Sequence, residues 1–169
     1  MATAIPVREM KTEDNLHYVL FGENTEYKLA NKGFTDWTQS MNANTDDGVQ
    51  YIGDKNSKSQ ILGYAPSVSY GGTAYPSDDF DLWVYQIGKL EKVGETFQEV
   101  EVETWNEVTE GVFHAYHRTY EVQPDNPGSG EGGGKLTMEG TFTQTDSVQE
   151  GYFNMTTKEF STEAPTAGE

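Results

Sequence analysis

The second half of the chain alternates between apolar and polar side chains with a period of two, and this pattern restricts its fold more than any other feature. Residues 135–145 place Leu, Met, Gly and Phe on one face and mainly Lys, Thr and Glu on the other, which is typical of a strand with one buried face. Residues 97–106 and 111–123 predict two further long strands. Shorter strand patterns cover residues 16–21, 26–29, 33–37, 59–65, 67–73, 148–155 and 156–160. The sequence therefore predicts a mainly β chain.

A single segment shows helical periodicity instead. Its apolar stripe consists of Phe80, Trp83, Val84, Ile87 and Leu90. Asp78 is a candidate N-cap, and the carboxylates that follow it suit the positive end of the helix dipole. We predict a helix over residues 78–91 with that stripe as its core face. Mostly antiparallel strands and one helix predict a β-sandwich or β-barrel with one flanking α-helix.

The chain divides into a folded middle and two polar ends. We predict an N-terminal arm over residues 1–14, a folded domain over residues 15–160 and a flexible C-terminal tail over residues 161–169. Within the domain, residues 38–58 form a polar stretch beyond the ~12–15 residues above which structureless loops are uncommon. A short apolar pair interrupts this stretch, which leaves a long loop, a hairpin and a docking segment as interpretations.

The chain is strongly acidic. It has 28 Asp and Glu residues against 11 Lys and Arg residues, and its formal net charge is −17. This charge repels nucleic-acid phosphate and anionic lipid, so we expect neither as a bound partner. The absence of cysteine excludes disulfides, thiolate nucleophiles and cysteine-ligated metals. Ten Tyr, eight Phe and three Trp residues supply enough apolar surface for a folded core.

Membrane and secretory signals are missing from the sequence. No apolar run reaches the ~18–20 residues that a membrane-spanning helix needs. The first residues also lack the apolar core of a signal peptide, so we expect the chain to be made and kept in a cytoplasm. No membrane partner is predicted.

Three patterns resemble ligand sites, and none fits its template. The glycines of residues 128–133 match the nucleotide-binding pattern GxGxxG, but a strand pattern rather than a helix follows them. Residues 42–53 begin like a calcium loop and lack its central Gly and its final Glu. His114 and His117 are three positions apart on a predicted strand, so they lie on opposite faces. We therefore predict no cofactor and no metal.

Glu99, Glu101 and Glu103 lie on one face of the strand predicted at residues 97–106. Neighbouring carboxylates on one face repel each other, so this spacing favours a wet acidic face. Catalytic acids usually come from separate elements, and a solvated face is therefore favoured over a catalytic pair. We predict no catalytic residue.

Six short segments, taken in order along the chain, carry a family resemblance. They are residues 32–37, 50–52, 63–67, 78–82, 135–140 and 151–160. In this order they resemble the major tail proteins (tail tube proteins) of long-tailed bacteriophages, particularly those of Gram-positive hosts. The likeness covers residues 29–160.

The resemblance implies a β-sandwich with a flanking helix that assembles into hexameric rings, which stack into a hollow tail tube in the virion. One sheet of each subunit lines the lumen, the helix lies toward the outside, and a long loop and the terminal arms reach neighbouring rings. It implies no enzymatic activity. The implied partners are further copies of the chain, a tape measure protein, a tail terminator, and baseplate or distal tail proteins. DNA passes through the tube without being bound.

Combining the resemblance with the residue patterns predicts two functional surfaces. We expect Glu99, Glu101 and Glu103 to face the lumen, where carboxylates repel DNA phosphate. We expect the stretch at residues 38–58 and its flank to contact the next ring. The expected contact residues are Trp37, Met41, Asp46, Asp47, Tyr51 and Ile52.

Two other functions remain open. One is a monomeric β-sandwich that binds carbohydrate through a platform of exposed Tyr and Trp side chains. The other is an acidic hydrolase that uses paired carboxylates. Neither function needs the arms or the long polar stretch, and these features favour the self-assembling structural protein.

Overall fold

The computed structural model describes residues 4–5, 7–56 and 58–166, and strands dominate them. The strands are β1 (Asn15–Phe21), β2 (Lys28–Leu29), β3 (Phe34–Ser40), β4 (Ala43–Asp47), β5 (Ser59–Tyr64), β6 (Ser67–Thr73), β7 (Thr96–Thr109), β8 (Val112–Ser129), β9 (Thr137–Gln144), β10 (Gln149–Asn154) and β11 (Glu159–Ser161). Helix α1 (Asp79–Lys89) follows β6, and a 3-10 turn (Thr12–Asp14) precedes β1. The prediction of a mainly β chain with one helix is confirmed for the described residues.

Most strands form one antiparallel sheet in the order β2-β1-β7-β8-β9-β6-β3. β8 is 18 residues long, and it pairs with β10 through its first part and with β9 through its last part. The sheet curls into a half-barrel, because strands far apart in this order meet: Trp37 of β3 stacks on His17 of β1 with ring centroids 4.8 Å apart.

The inner face of the half-barrel holds the main hydrophobic core. The core includes Val19, Phe21, Tyr70, Phe97, Tyr120, Met138 and Phe142. Helix α1 covers this core with the buried Phe80, Val84 and Ile87, and Trp83 packs partly buried at its edge. The Phe80 ring centroid lies 5.0 Å from that of Phe97. Burial of this apolar stripe holds the helix on the sheet.

Helix α1 begins at the predicted cap. The side chain of Asp78 accepts a hydrogen bond from the backbone N–H of Asp81 at 3.0 Å. The helix ends at Lys89, and Leu90 is its C-cap, with φ −96° and ψ 4°. Leu90 is 65% exposed, so its prediction as part of the core face is wrong. The helix has already ended at Lys89, so its geometry no longer directs this side chain toward the core.

A second, smaller core lies on the opposite face of β1, β7 and β8. Tyr18 and Phe153 meet there with ring centroids 4.7 Å apart, and Val100, Val102 and Ala115 are buried beside them. Tyr27, Leu29 and Phe160 pack against this core from β10–β11 and the β2 region. The curled sheet therefore has a core on each side, consistent with the predicted sandwich or barrel.

Strands β4 and β5 form a separate two-stranded hairpin, with no partner in the main sheet among the described residues. Every residue of β4 is exposed. The stretch of residues 38–58 therefore holds the end of β3 and all of β4, and of its three interpretations the structure shows a hairpin. A single uninterrupted loop is the wrong interpretation.

The predicted terminal arms fall partly outside the described residues, which do not include residues 1–3, 6 and 167–169. Near the N-terminus, Arg8 Nη2 pairs with Asp14 Oδ1 at 2.6 Å. Thr104 also donates a hydrogen bond to the backbone oxygen of Asp14 at 2.8 Å, which fixes the 3-10 turn to β7. In the described residues, no helix is long and apolar enough to cross a membrane.

Candidate functional site

Glu99, Glu101 and Glu103 share one face of β7, but this is the inner face of the half-barrel. Glu99 is 1% exposed and Glu103 is 8% exposed. The prediction of a wet acidic face is therefore wrong for Glu99 and Glu103, and Glu101 is only partly exposed. The physical reason is the strand register, which pairs Glu99 with Arg118 and Glu101 with His17 and so brings cationic side chains onto the same face.

The carboxylate of Glu99 lies between two basic side chains. Its Oε1 lies 2.6 Å from His17 Nδ1, and its Oε2 lies 3.5 Å from Arg118 Nη1. A buried carboxylate is tolerated only when it is paired or hydrogen-bonded. His17 and Arg118 meet that requirement from strands on either side of β7.

The same guanidinium also serves Glu101. Arg118 Nη1 donates to Glu101 Oε2 at 2.7 Å, and Asn15 Nδ2 donates to Glu101 Oε1 at 2.7 Å. Burial opposes ionisation of Glu101, but the hydrogen bond and positive charge of Arg118, together with Asn15, outweigh it and lower the pKa of Glu101. Glu101 is therefore an ionised member of a closed charge network.

His114 connects Glu103 to the neighbouring strand β10. Its Nδ1 lies 2.9 Å from Glu103 Oε2, and its Nε2 lies 2.8 Å from Glu150 Oε1. The two ring nitrogens of His114 thus contact carboxylates that belong to different strands. The network pairs the acids of β7 with basic side chains inside the fold, and it does not offer the open carboxylate pair that an acidic hydrolase needs.

A cavity of about 730 Å³ opens beside this network, between β3, β1 and the 3-10 turn. Its walls include Trp37, His17 and Arg118. The cavity is a gap between β1 and β3 of the curled sheet, and the Trp37–His17 contact spans this gap. Among the described residues, no group of three or more His, Asp and Glu side chains is arranged to hold a metal ion.

The outer face of β3, β6, β9 and β8 has a different character. Strand register aligns its residues in rows that cross all four strands. The rows are Ser40, Ser67, Thr143 and Glu121; Thr38, Ser69, Thr141 and Gln123; and Asp36, Gly71, Glu139 and Asn126. No row contains Lys or Arg. We call these rows the hydroxyl–acid face.

One end of the hydroxyl–acid face is the more acidic. Asp36, Asp125 and Glu139 line a shallow cleft of about 480 Å³ together with Gly71. The alternation of apolar and polar residues indicates which side chains of residues 135–145 share a polar face. Which residues of β3, β6 and β8 lie beside them depends on strand register, which the sequence does not show. Sequence reasoning therefore missed this surface.

The predicted contact residues separate into two groups. The hairpin and its flanks expose Met41, Asp46, Asp47, Tyr51 and Ile52. Trp37 does not lie with them, because it packs against the main core and stacks on His17. Strand β5 adds Ile61, Leu62 and Tyr64 as exposed apolar side chains that sequence reasoning missed.

The tryptophans do not form a platform for a sugar ring. Trp37 stacks on His17, and Trp105 donates its indole N–H to Asn15 Oδ1 at 3.2 Å. Trp83 packs against the main core. All three Trp side chains are partly buried and engaged, so none of them supplies the exposed Trp surface that the carbohydrate-binding alternative expects.

Comparison with known proteins gives structural matches alone. No family model matches the sequence, and no curated protein matches it. One match is the tail of an empty GTA particle with C6 symmetry, at 17% identity and a TM-score of 0.57, covering 83% of this chain and 97% of that chain. This chain shares its fold.

Two further structures extend the comparison. The virion of a native gene transfer agent (GTA) particle matches at 17% identity and a TM-score of 0.54, covering 84% of this chain and 98% of that chain. The anti-feeding prophage (AFP) baseplate, 6-fold symmetrised, matches at 8% identity and a TM-score of 0.52, covering 89% of this chain and 99% of that chain. Each match spans nearly all of the other chain, so the whole architecture is shared rather than one motif.

Proposed function

We propose that this chain is a structural virion protein, a tail tube subunit that assembles into stacked hexameric rings. The observation that carries the proposal is the fold shared with chains from a GTA tail, a GTA virion and an AFP baseplate. Two of these structures have six-fold symmetry, which supports six subunits per ring. The resemblance carried by segments within residues 29–160 supports a tail of the kind found in long-tailed phages of Gram-positive hosts.

The hydroxyl–acid face lines the lumen in this proposal, in place of Glu99, Glu101 and Glu103, which lie on the inner face of the half-barrel. Its rows combine short hydroxyl side chains with Asp36, Glu121 and Glu139 and contain no Lys or Arg. Such a surface repels phosphate and offers no cation to hold it. DNA is then a passenger that slides through the tube.

The hairpin makes the contact between rings. An isolated two-stranded hairpin is marginally stable in water, so β4 and β5 need a partner surface. Tyr51 and Ile52 near the tip and Leu62 on β5 are exposed apolar side chains that assembly would bury. The N-terminal arm adds exposed apolar residues of its own, among them Val7 and Met10.

Self-association is only part of the proposed role. Its further partners are a tape measure protein inside the tube, a tail terminator at one end, and baseplate or distal tail proteins at the other. The chain has no enzymatic role in this proposal, because Glu99, Glu101 and Glu103 serve to hold the sheet together.

Electron microscopy of the purified, concentrated protein tests the proposal. We expect stacked rings or tubes of uniform diameter with six-fold end views. The matched variant removes residues 43–64, since Asn42 and Ala65 are already joined by a backbone hydrogen bond of 3.2 Å. This variant keeps the folded body and forms no tubes. A stable monomer at every concentration of the unaltered chain, or tubes at normal yield from the deletion variant, would contradict the proposal.

A further inference from the structure

Five of the nine lysines of this acidic chain lie on or near helix α1. Three of them lie over aromatic rings: Lys32 Nζ is 5.3 Å from the Tyr75 ring centroid, Lys89 Nζ is 5.4 Å from that of Tyr85, and Lys28 Nζ is 6.0 Å from that of Phe21. Exposed apolar side chains lie near the ends of the same helix: Tyr75 precedes it, Leu90 and Val93 follow it, and Leu136 accepts a backbone hydrogen bond from Ala74. We define the helix-side patch as Lys28, Lys32, Lys89, Lys92 and Lys135 together with Tyr75, Leu90, Val93 and Leu136.

Part of the positive charge of this patch is unpaired. Lys28 pairs with Asp79 and Lys92 with Glu95. In the part of the chain that the structure describes, Lys32, Lys89 and Lys135 form no ion pair, and all three are exposed. In a chain of net charge −17, such a surface suits an acidic partner with apolar side chains.

The hairpin has the complementary composition. Asp46 and Asp47 stand exposed on β4, and within the described residues neither forms an ion pair. Tyr51 and Ile52 are exposed apolar side chains near the tip.

Strand β3 separates the two surfaces. At its start, the Phe34 ring centroid lies 5.5 Å from that of Phe80 on helix α1. At its end, Ser40 is followed after two residues by β4. Seven residues of strand span about 20 Å, so the two ends of β3 are about that far apart. A surface at one end and its complement at the other allow a head-to-tail contact that repeats from copy to copy.

We propose that the helix-side patch of one copy receives the hairpin of a second copy. Asp46 and Asp47 are neighbours on β4 and point to opposite faces of the hairpin, so the hairpin lies between Lys32 and Lys89 of the patch. Its tip then packs on Leu90 and Val93. This inference rests on the proposed function and adds the receiving surface to it. It also accounts for self-association of a chain whose net charge opposes association, since the contact places its cations against its own acids.

A cycle of three charge-reversal variants and the unaltered chain tests the contact. The hairpin variant is Asp46→Lys with Asp47→Lys, the patch variant is Lys32→Glu with Lys89→Glu, and the third combines all four changes. Each double variant should raise the critical concentration for tube formation at least about tenfold, and the combination should restore most of the loss. The control is Lys158→Glu at the turn before β11, which reverses a lysine charge away from both surfaces. It should leave the critical concentration for tube formation unchanged.

Cross-linking supplies a second measurement, because the chain contains no cysteine. Ile52→Cys and Leu90→Cys proteins, mixed before assembly and oxidised afterwards, should give a disulfide-linked dimer of the two different proteins. Ile52→Cys mixed with Glu159→Cys should give none.

The outcomes separate the two proposals. If the unaltered chain forms no tubes, the proposed function fails and this inference fails with it. If tubes form but the combined variant is as weak as the sum of its parts, and the Ile52→Cys and Leu90→Cys proteins form no mixed dimer inside them, the function stands and this contact is overturned. The patch then faces solvent or a different protein.

Discussion

Glu99 Oε1 lies 2.6 Å from His17 Nδ1 in the interior of the curled sheet, and the same imidazole ring stacks on Trp37 with centroids 4.8 Å apart. A buried carboxylate on β7 is thereby connected, through one side chain of β1, to strand β3. Because β3 leads directly into the hairpin, the charge network supports the strand from which the assembly surface projects.

Arg118 is the cation on which this network depends, and we expect Arg118→Met to destabilise the fold. The substitution leaves Glu99 and Glu101 without their shared partner, and removing one member of a buried ion pair costs about 3–5 kcal/mol. Urea denaturation followed by tryptophan fluorescence measures the loss. Lys158→Met, which removes an exposed lysine, should stay within about 0.5 kcal/mol of the unaltered chain. Equal stability of the two variants would show that Arg118 is dispensable.

Asp81 predicts a pH dependence of opposite sign to that of most carboxylates. Its side chain is fully buried, its Oδ2 accepts a hydrogen bond from the N–H of Tyr75 at 2.5 Å, and its Oδ1 has no hydrogen-bond partner in the described residues. Burial raises the pKa of Asp81 from 3.8 to about 6. The folded state therefore binds this proton more tightly than the unfolded state does. The resulting stabilisation is complete below pH 3.8 and is lost as the pH rises through about 6.

Asp81→Asn isolates this effect, because the amide does not titrate. The free energy of unfolding of the variant, minus that of the unaltered chain, should increase between pH 4 and pH 7. Urea titrations at four or five pH values measure that difference. A difference that stays constant across this range would mean that Asp81 does not titrate there.

Gly33 fits against Asp81 so closely that a side chain is excluded. A Cβ at this position would lie 2.4 Å from Asp81 Oδ2 and 2.9 Å from the backbone oxygen of Thr73, and the residue has φ +91°. Gly33→Ala should cost more than about 3 kcal/mol, from backbone strain and packing together. Gly94→Ala has the same kind of backbone conformation, φ +80°, with no atom within 4 Å of the added Cβ. Gly94→Ala should cost about 1 kcal/mol of stability. Denaturant titrations measure both variants, and equal losses of stability would show that close packing at Gly33 makes no contribution.

The hydroxyl–acid face predicts how assembled tubes treat DNA. Asp125→Lys with Glu139→Lys should leave tube yield unchanged and create binding of a short DNA duplex, because the surface then holds phosphate. Fluorescence anisotropy of a labelled duplex measures this DNA binding. The affinity of the variant tubes for the duplex should fall steeply between about 50 and 200 mM salt. Glu159→Lys with Glu163→Lys makes the same charge change away from this face. Equal DNA binding by the two double variants would argue against the lumen assignment.

The elements that sequence alone predicted are those with local signals. The helix was predictable because Asp78 caps it and its apolar side chains recur with helical spacing. Strand β9 was predictable because apolar and polar side chains alternate cleanly along it. Strand β4 has no such signal: all five residues, Ala43–Asp47, are exposed, so neither face is apolar.

The candidate surfaces depended on register, which is not a local property. Glu99 was expected in water, and it is buried because His17, 82 positions away, and Arg118, 19 positions away, reach it from neighbouring strands. The hydroxyl–acid face escaped prediction for the same reason, since it forms only when β3, β6, β9 and β8 align. Alternation indicates which residues share a face, but it does not indicate what that face meets.

Cryo-electron microscopy of tubes assembled from the purified chain tests the central claim most directly, because a helical reconstruction shows which sheet surface borders the lumen. We predict six subunits per ring, with Asp36, Glu121 and Glu139 of the hydroxyl–acid face lining the channel. A reconstruction with that face on the outer wall, or with no channel through the assembly, would contradict the account.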